Sequence, residues 1–438
     1  MIPEQVHAVP NLTTALTGPL LEIESHMLMH QAEIEQWFRG QWLSTQAPFY
    51  ASVDLRNAGF KLAPVDTNLF PAGFNNLSGD FEPLCVHAMQ TAAERLVPNS
   101  CGALLIPEDH TRNPHYWQSI ARLVRILELA GFRARIGSLS PDLTEPAVMQ
   151  LPGGQTLLRE PISRHGDKVL IGDFTPCFIL LNNDLSAGLP AVLENISQPV
   201  VPPVALGWAT RRKSHHFGIY DQVANEFSAL IEIDPWLINP LFRRCGQIDF
   251  QKREGEDCLV MNVAELLLAV RDKYRAYGID QEPFAFVKAD SGTYGMNIMV
   301  VRSPDEVRDL NRKQRNKMAR GKGGATVTEV MVQEGVYTFE KWGPTAAVAE
   351  PVVYMIDHFV VGGFYRVHTE RAADDNLNSP GMHFEPLAFA ESCSHPDDSK
   401  DPDAQPNRFY AYGVVARLAL LAAARERQGL QLASAANA

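Results

Sequence analysis

Residues 284–301, FAFVKADSGTYGMNIMVV, constrain the fold of this chain more than any other stretch. Phe284, Phe286 and Val287 are apolar and β-prone, and Ile298–Val301 is a second apolar run, so the segment reads as strand, loop, strand. Between the strands lie Lys288, Asp290, Ser291, Gly292, Thr293, Tyr294 and Gly295. Two glycines and the small hydroxyl residues Ser291 and Thr293 in such a loop let backbone N–H groups approach an anion. Lys288, at the strand end, supplies a point charge for a phosphate. Taken alone, the loop reads more readily as an ordinary hairpin with an exposed lysine. It is not GxxxxGK[ST], and no helix follows it directly, which argues against a P-loop or Rossmann site. The expectation is a nucleotide held between sheets, under a β-hairpin.

The flanking sequence has the element order of an α/β protein. Residues 14–38 carry apolar side chains at helical spacing and read as one long amphipathic helix. Residues 50–77 mix short β-like runs with dense polar residues, among them Asp54, Arg56, Lys61, Asp66 and Asn68. That pattern fits either a site carried on rigid strands or a solvated hairpin with Asx turns. A helix is expected near residues 82–96. Strand 102–107, helix 114–130 and strand 132–136 then argue for a parallel pair, with Glu108 to Arg112 on its ligand side.

Pro202, Pro203 and Gly207 mark a boundary near residue 200. Arg211, Arg212 and Lys213 follow as a basic cluster, read either as part of a site or as a solvated helix start. A helix over 262–278 is expected, capped by Asn262 with Glu265 three residues on. Ser303, Pro304 and Glu306 predict the start of another, which carries Arg312 to Arg320 as a lid over phosphates or as an exposed helix end. Strands are expected over 326–336, 351–357 and 360–369, the last presenting Arg366. A closing helix over 409–427 precedes a tail, 432–438, expected to be disordered.

The 438 residues suffice for two or three lobes. A net charge of −12 speaks against broad nucleic-acid affinity. No apolar run has membrane-spanning length, and the start of the chain lacks a basic, apolar leader, so a cytoplasmic protein without a membrane partner is expected. The six cysteines are scattered without metal-ligand spacing and read as reduced thiols. No catalytic cysteine or Ser–His–Asp arrangement is evident.

Three segments in order resemble the ATP-grasp fold: Val287–Lys288 with the loop after it, Gln333–Glu334–Gly335, and the strand ending at Arg366. The wider pattern is similar to eukaryotic-type glutathione synthetases, whose ATP-grasp is circularly permuted. Asp66-x-Asn68 resembles their metal motif, Asp54–Leu55–Arg56 their substrate stretch, and Lys213 their early ATP lysine. Those relatives carry a metal-binding glutamate where this chain has Gly292. Asp290 is one substitute, and Asp374-x-Asn376 is an alternative metal motif.

Over nearly its full length the chain resembles an uncommon bacterial glutamate–cysteine ligase family. The segments VDLRNAGFKLAPVDTNLFPAGFNNL, GWATRRKSHHFGIY, KADSGTYGMNI and GGFYRVH carry that resemblance. It implies ligation of glutamate, through a γ-glutamyl phosphate, to cysteine, the first step of glutathione biosynthesis. Glutathione synthetase, another amino-acid ligase, and a non-catalytic nucleotide-binding module are the alternatives. The implied fold is α/β, ATP-grasp-like and circularly permuted. The implied organisation is a substrate region over 1–200, a nucleotide region over 201–390 and a closing segment over 391–438. Arg56 and Arg366 are the implied catalytic residues. Lys213, Lys288, Ser291, Gly292, Gly295, Gln333 and Glu334 are the nucleotide residues, and Asp66 and Asn68 the Mg²⁺ ligands. The expected partners are ATP, glutamate and cysteine, with homo-oligomerisation left open.

Overall fold

The computed structural model describes residues 19–109, 111–185, 188–291, 297–320, 326–386 and 410–436. The first elements are α1 (Pro19–Met29) and α2 (Gln31–Ser44), which replace the single helix expected over residues 14–38. The chain turns at His30, and α2 runs on to Ser44 with Ile34 and Phe38 buried. Next come the hairpin β1 (Tyr50–Asn57) and β2 (Leu62–Asn68), and α3 (Glu82–Leu96). The expected βαβ unit follows as β3 (Gly102–Pro107), α4 (Pro114–Leu129) and β4 (Arg133–Ser138), with the two strands parallel. Asn113 caps α4 through the His115 N–H, and Pro114 sits in its first turn, where no N–H is missed. The unit continues through β5 (Ala147–Gln150), β6 (Thr156–Pro161), a small hairpin of β7 (Ser163–His165) and β8 (Lys168–Leu170), then β9 (Phe178–Asn182) and β10 (Val200–Val201). A six-stranded sheet results, in the order β10-β9-β3-β4-β6-β5, parallel except at β5.

Past residue 200 lie α5 (Lys213–Leu230), β11 (Phe242–Cys245) and α6 (Glu256–Ala276). The last begins at Glu256 rather than at Asn262. Gly255, at φ 77°, turns the chain into the helix, and Glu256 and Asp257 meet the positive end of its dipole. Asn262 sits nearly two turns inside and donates to the Cys258 carbonyl at 2.9 Å. The central hairpin is β12 (Ala285–Ala289) and β13 (Ile298–Val301), paired antiparallel as expected.

Two short helices, α7 (Asp305–Arg308) and α8 (Arg312–Ala319), stand where one was expected from Ser303. Glu306 accepts from the Arg302 N–H, and the reciprocal capping box belongs to Asn311 and Gln314 instead. β14 (Val330–Glu334) then completes a four-stranded antiparallel sheet in the order β11-β14-β12-β13.

The remaining strands are β15 (Lys341–Trp342), β16 (Ala347–Ile356), β17 (Phe359–His368) and β18 (His383–Pro386). They join β1 and β2 in a second six-stranded sheet, ordered β18-β17-β16-β1-β2, with β15 beside β16. This sheet therefore takes strands from both sides of residue 200. β16 is buried at every position because α3 covers one face and α9 (Tyr410–Ala436) the other. α9 runs past Arg427, so residues 432–436 belong to its last turns rather than to a disordered tail. Its Val414, Leu418 and Leu421 are fully buried, each burial contributing roughly 1.5–3 kcal/mol.

Candidate active site

The hairpin β1–β2 lies against the four-stranded sheet, and Lys288 of β12 crosses the gap. Its Nζ donates to the Val65 carbonyl at 2.9 Å and to Gln333 Oε1 at 2.6 Å. Lys288 is only 7% exposed, far from the exposed lysine of an ordinary hairpin. Burial pushes its ammonium down to about 8, with the Asp66 carboxylate opposing. The Gln333 Nε2 is buried and finds no hydrogen-bond partner among the described residues. Ser291 pairs with Arg212 through a backbone bridge, whereas Gly292 and Gly295 lie outside the described residues.

The basic cluster splits three ways. Arg211 turns to Glu426, Arg212 to Glu329 at 2.9 Å, and Lys213 Nζ to Asp66 Oδ1 at 2.7 Å. Lys213 is the first residue of α5, whose start is fastened by Asp290. Both the N–H and the Oγ of Ser214 donate to the Asp290 carboxylate at 2.7 Å. That buried capping role places Asp290 outside both cavity linings.

Burial pushes the Asp66 carboxyl up, but Lys213 and Lys288 overcome it and hold the group well below the usual range. Asp54 stands opposite Asp66 in the β1–β2 register and ion-pairs with Arg366 Nη1 at 2.9 Å. Burial raises the Asp54 carboxyl, and Arg366 only partly offsets it. Glu350 of β16 accepts from both Arg366 and Arg56, the latter at 2.9 Å. The other Arg56 donors go to the carbonyls of Val336, Ala373 and Asp375, so its guanidinium forms part of the wall.

Two cavities meet at these residues. The smaller, about 50 Å³, is lined by Arg56, Phe286, Lys213 and Lys288. The larger, about 600 Å³, extends past Asn75, Tyr354 and Phe364 to Glu108 and Tyr116 at the C-terminal end of the parallel sheet. That volume lies within the roughly 300–1,000 Å³ usual for small-molecule sites. Asp54, Asp66, Arg366 and Asn378 line both.

Arg56, Asp66, Lys213, Lys288 and Arg366 thus converge, and Asn68 lines the larger cavity. Asn68 Oδ1 accepts from the Phe70 N–H at 2.8 Å, an Asx turn that occupies one lone pair. In the alternative motif, Asn376 makes the same turn with Asn378, and Asp374 pairs with Arg302. Among the described residues no group of three or more His, Cys, Asp and Glu side chains is arranged to hold a metal. Glu334 is placed elsewhere. It is 1% exposed and accepts from Lys61 Nζ at 2.8 Å, the Leu241 N–H at 2.8 Å and Trp236 Nε1 at 3.1 Å.

Glu350 and Asn378 are not among the site residues the sequence points to, and Asp54 enters there only as part of the stretch that resembles a substrate motif. Asp54 had a signal, since it lies two residues before Arg56 on the same strand face. Glu350 had a weaker one, a lone charge in the apolar run AVAEPVVYMI.

A family profile described as glutamate–cysteine ligase matches residues 24–427. A crystal structure named as a γ-glutamylcysteine synthetase from Methylobacillus flagellatus KT is 59% identical, with a TM-score of 0.88. The match covers 96% of this chain and 99% of that one. A glutathione synthetase-like effector from Globodera pallida aligns at 10% identity and a TM-score of 0.37, over 80% of this chain and 77% of its own. No curated protein gives a significant match.

Proposed function

This chain belongs to the glutamate–cysteine ligase family, and on that premise we propose that ATP binds between the four-stranded sheet and the β1–β2 hairpin, with the amino acids in the larger cavity. Glutamate–cysteine ligases use ATP to join the γ-carboxylate of glutamate to the amine of cysteine. A free carboxylate must be activated first, and an acyl phosphate with release of ADP does so. Phosphoryl transfer needs positioned positive charge rather than a covalent nucleophile on the protein. Lys213, Lys288 and Arg366 supply it from three different elements. Convergence of these three cations on the smaller cavity, with Arg366 also on the larger, is the observation that carries the reading. Arg366, on both linings, faces the γ-carboxylate and the transferred phosphoryl group together. Arg56, through Glu350, holds Arg366 in place.

The reading includes an ATP-grasp organisation in permuted order. Its support is the way β1 and β2, early in the chain, complete a sheet built from β16, β17 and β18. It also includes Mg²⁺. The donor set fits, because Mg²⁺ takes one or two carboxylates together with substrate phosphates, and Asp66 is kept ionised on the cavity wall with Asp54 opposite. Asp66 would hold the ion, with Asp54 and the free lone pair of Asn68 beside it. The ion would neutralise phosphate charge. Five described cysteines are free thiols, which suits the reducing cytoplasm.

Incubation with ATP, Mg²⁺, glutamate and cysteine tests the proposal. The expected outcome is a γ-linked dipeptide by mass and ADP release that needs both amino acids. Failure to form that dipeptide, with turnover of γ-glutamylcysteine and glycine instead, would establish the synthetase alternative.

A further inference from the structure

Thr67 lies between Asp66 and Asn68 and is gripped from two sides by residues remote in the chain. Its carbonyl accepts from Arg211 Nη1 at 2.6 Å, and its hydroxyl lies 3.0 Å from His216 Nε2. Both partners face a single carboxylate, which hydrogen-bonds Arg211 and lies within ion-pair distance of His216. Arg211 donates to Glu426 through Nε at 3.1 Å and Nη2 at 2.9 Å, and His216 Nδ1 lies 3.4 Å from Glu426 Oε2. Glu426 belongs to α9, near the other end of the chain, and is 2% exposed. Burial pushes its carboxyl up, but Arg211 brings it down to about 2. His216 is held below its ordinary range by burial and by Arg211, so its imidazole is neutral. Nδ1 lies at ion-pair distance from Glu426 without hydrogen-bond geometry, and Nε2 is the ring nitrogen that meets the Thr67 hydroxyl. A gap of about 20 Å³ bordered by Asp66, Asn68, Arg211 and His216 joins this cluster to the site.

Stability alone does not explain the arrangement. Replacing a buried ion pair with well-packed apolar residues is often neutral or stabilising. What the cluster accomplishes is orientation. β2 ends at Asn68, and a strand end without further support frays. We infer that Thr67, His216, Arg211 and Glu426 form a positioning relay that fixes the Asp66–Asn68 strand end, so that the C-terminal helix sets the geometry of the phosphate site. The inference rests on the reading that Asp66 faces the phosphates. None of the four touches the reacting atoms in that reading; each acts through Asp66.

The relay is tested with full-length Thr67→Val, Thr67→Ser and Glu426→Gln, and with Asp66→Asn as reference. Thr67→Val keeps the shape of the side chain and removes the hydroxyl that meets His216. Its kcat should fall about 10- to 100-fold, the scale of a small misplacement of a reacting group. KM for glutamate and cysteine and the unfolding midpoint should stay close to wild type. Thr67→Ser, which keeps the hydroxyl, should recover most of kcat, and Glu426→Gln should lose it without losing KM. Wild-type kcat in both Thr67→Val and Glu426→Gln, with Asp66→Asn inactive, overturns the relay and leaves the site reading intact. A fully active Asp66→Asn overturns the site reading itself. Loss of kcat only in proportion to the folded fraction also overturns the relay.

Discussion

Lys61 and Lys288 are two lysines on one interface, and they differ in where their counter-charge lies. Both are buried, and burial pushes both down to about 8. Lys61 has its counter-charge inside the protein, Glu334 at 2.8 Å, and lies 4.2 Å from the centre of the Trp236 ring. Among the described residues Lys288 bonds a carbonyl and an amide oxygen, and the nearby Asp66 is already engaged by Lys213. It also lines a cavity, which Lys61 does not. A buried cation paired within the protein ties elements of the fold together. One whose strong anionic partner is missing keeps its charge for a ligand. The resemblance to known ligases marks Lys288 and Glu334 alike as nucleotide residues, yet in the structure they belong to opposite members of this pair.

The largest effect is expected at the structural member. Lys61→Met leaves Glu334 buried and unpaired, which should cost about 3–5 kcal/mol in urea unfolding. Adding Glu334→Leu should recover most of that loss; a single variant as stable as wild type would erase the distinction from one side. Lys288→Met should instead weaken ATP binding by about 1.5–3 kcal/mol in calorimetry, while unfolding stays near wild type. Unchanged ATP affinity would make Lys288 a second structural lysine.

The smallest effect concerns pH. The folded-state value of Lys288 lies below its ordinary 10.5, so the unfolded chain binds more protons between about 8 and 10.5. The contribution of this group to stability therefore rises with pH across that window and is lost as pH falls through about 8. ATP needs the charged form, so affinity should move the other way and decline as pH rises above about 8. In Lys288→Met the decline should be absent. A wild-type affinity that does not fall there would assign the phosphate charge to Lys213 and Arg366 alone.

Local chemistry made much of this legible. The βαβ unit over residues 102–138 follows from an apolar run, a capped amphipathic helix and a second run, and each signal lies within a few residues of what it controls. The hairpin of β12 and β13 and the antiparallel pair of β16 and β17 are of the same kind. Where two local signals competed, sequence misled. Asn262 with Glu265 has the spacing of a helix start, but Gly255 and the acidic pair after it start α6 earlier, and Asn262 becomes an interior side chain.

What the sequence by itself determined, then, was many of the strands and helices, the α/β class and the family, and it drew attention to Asp66, Lys213, Lys288 and Arg366, which line one cavity. Which partner each charge meets was decided only by the tertiary structure. Arg211, Arg212 and Lys213 are consecutive, yet they reach α9, Glu329 and Asp66. Asp54 and Glu350 are far apart in the chain and share Arg366 because β1 pairs with β16. Backbone propensity and periodicity act over a few residues, whereas ion pairs and cavity walls depend on distances that exist only once sheets formed from both ends of the chain have closed.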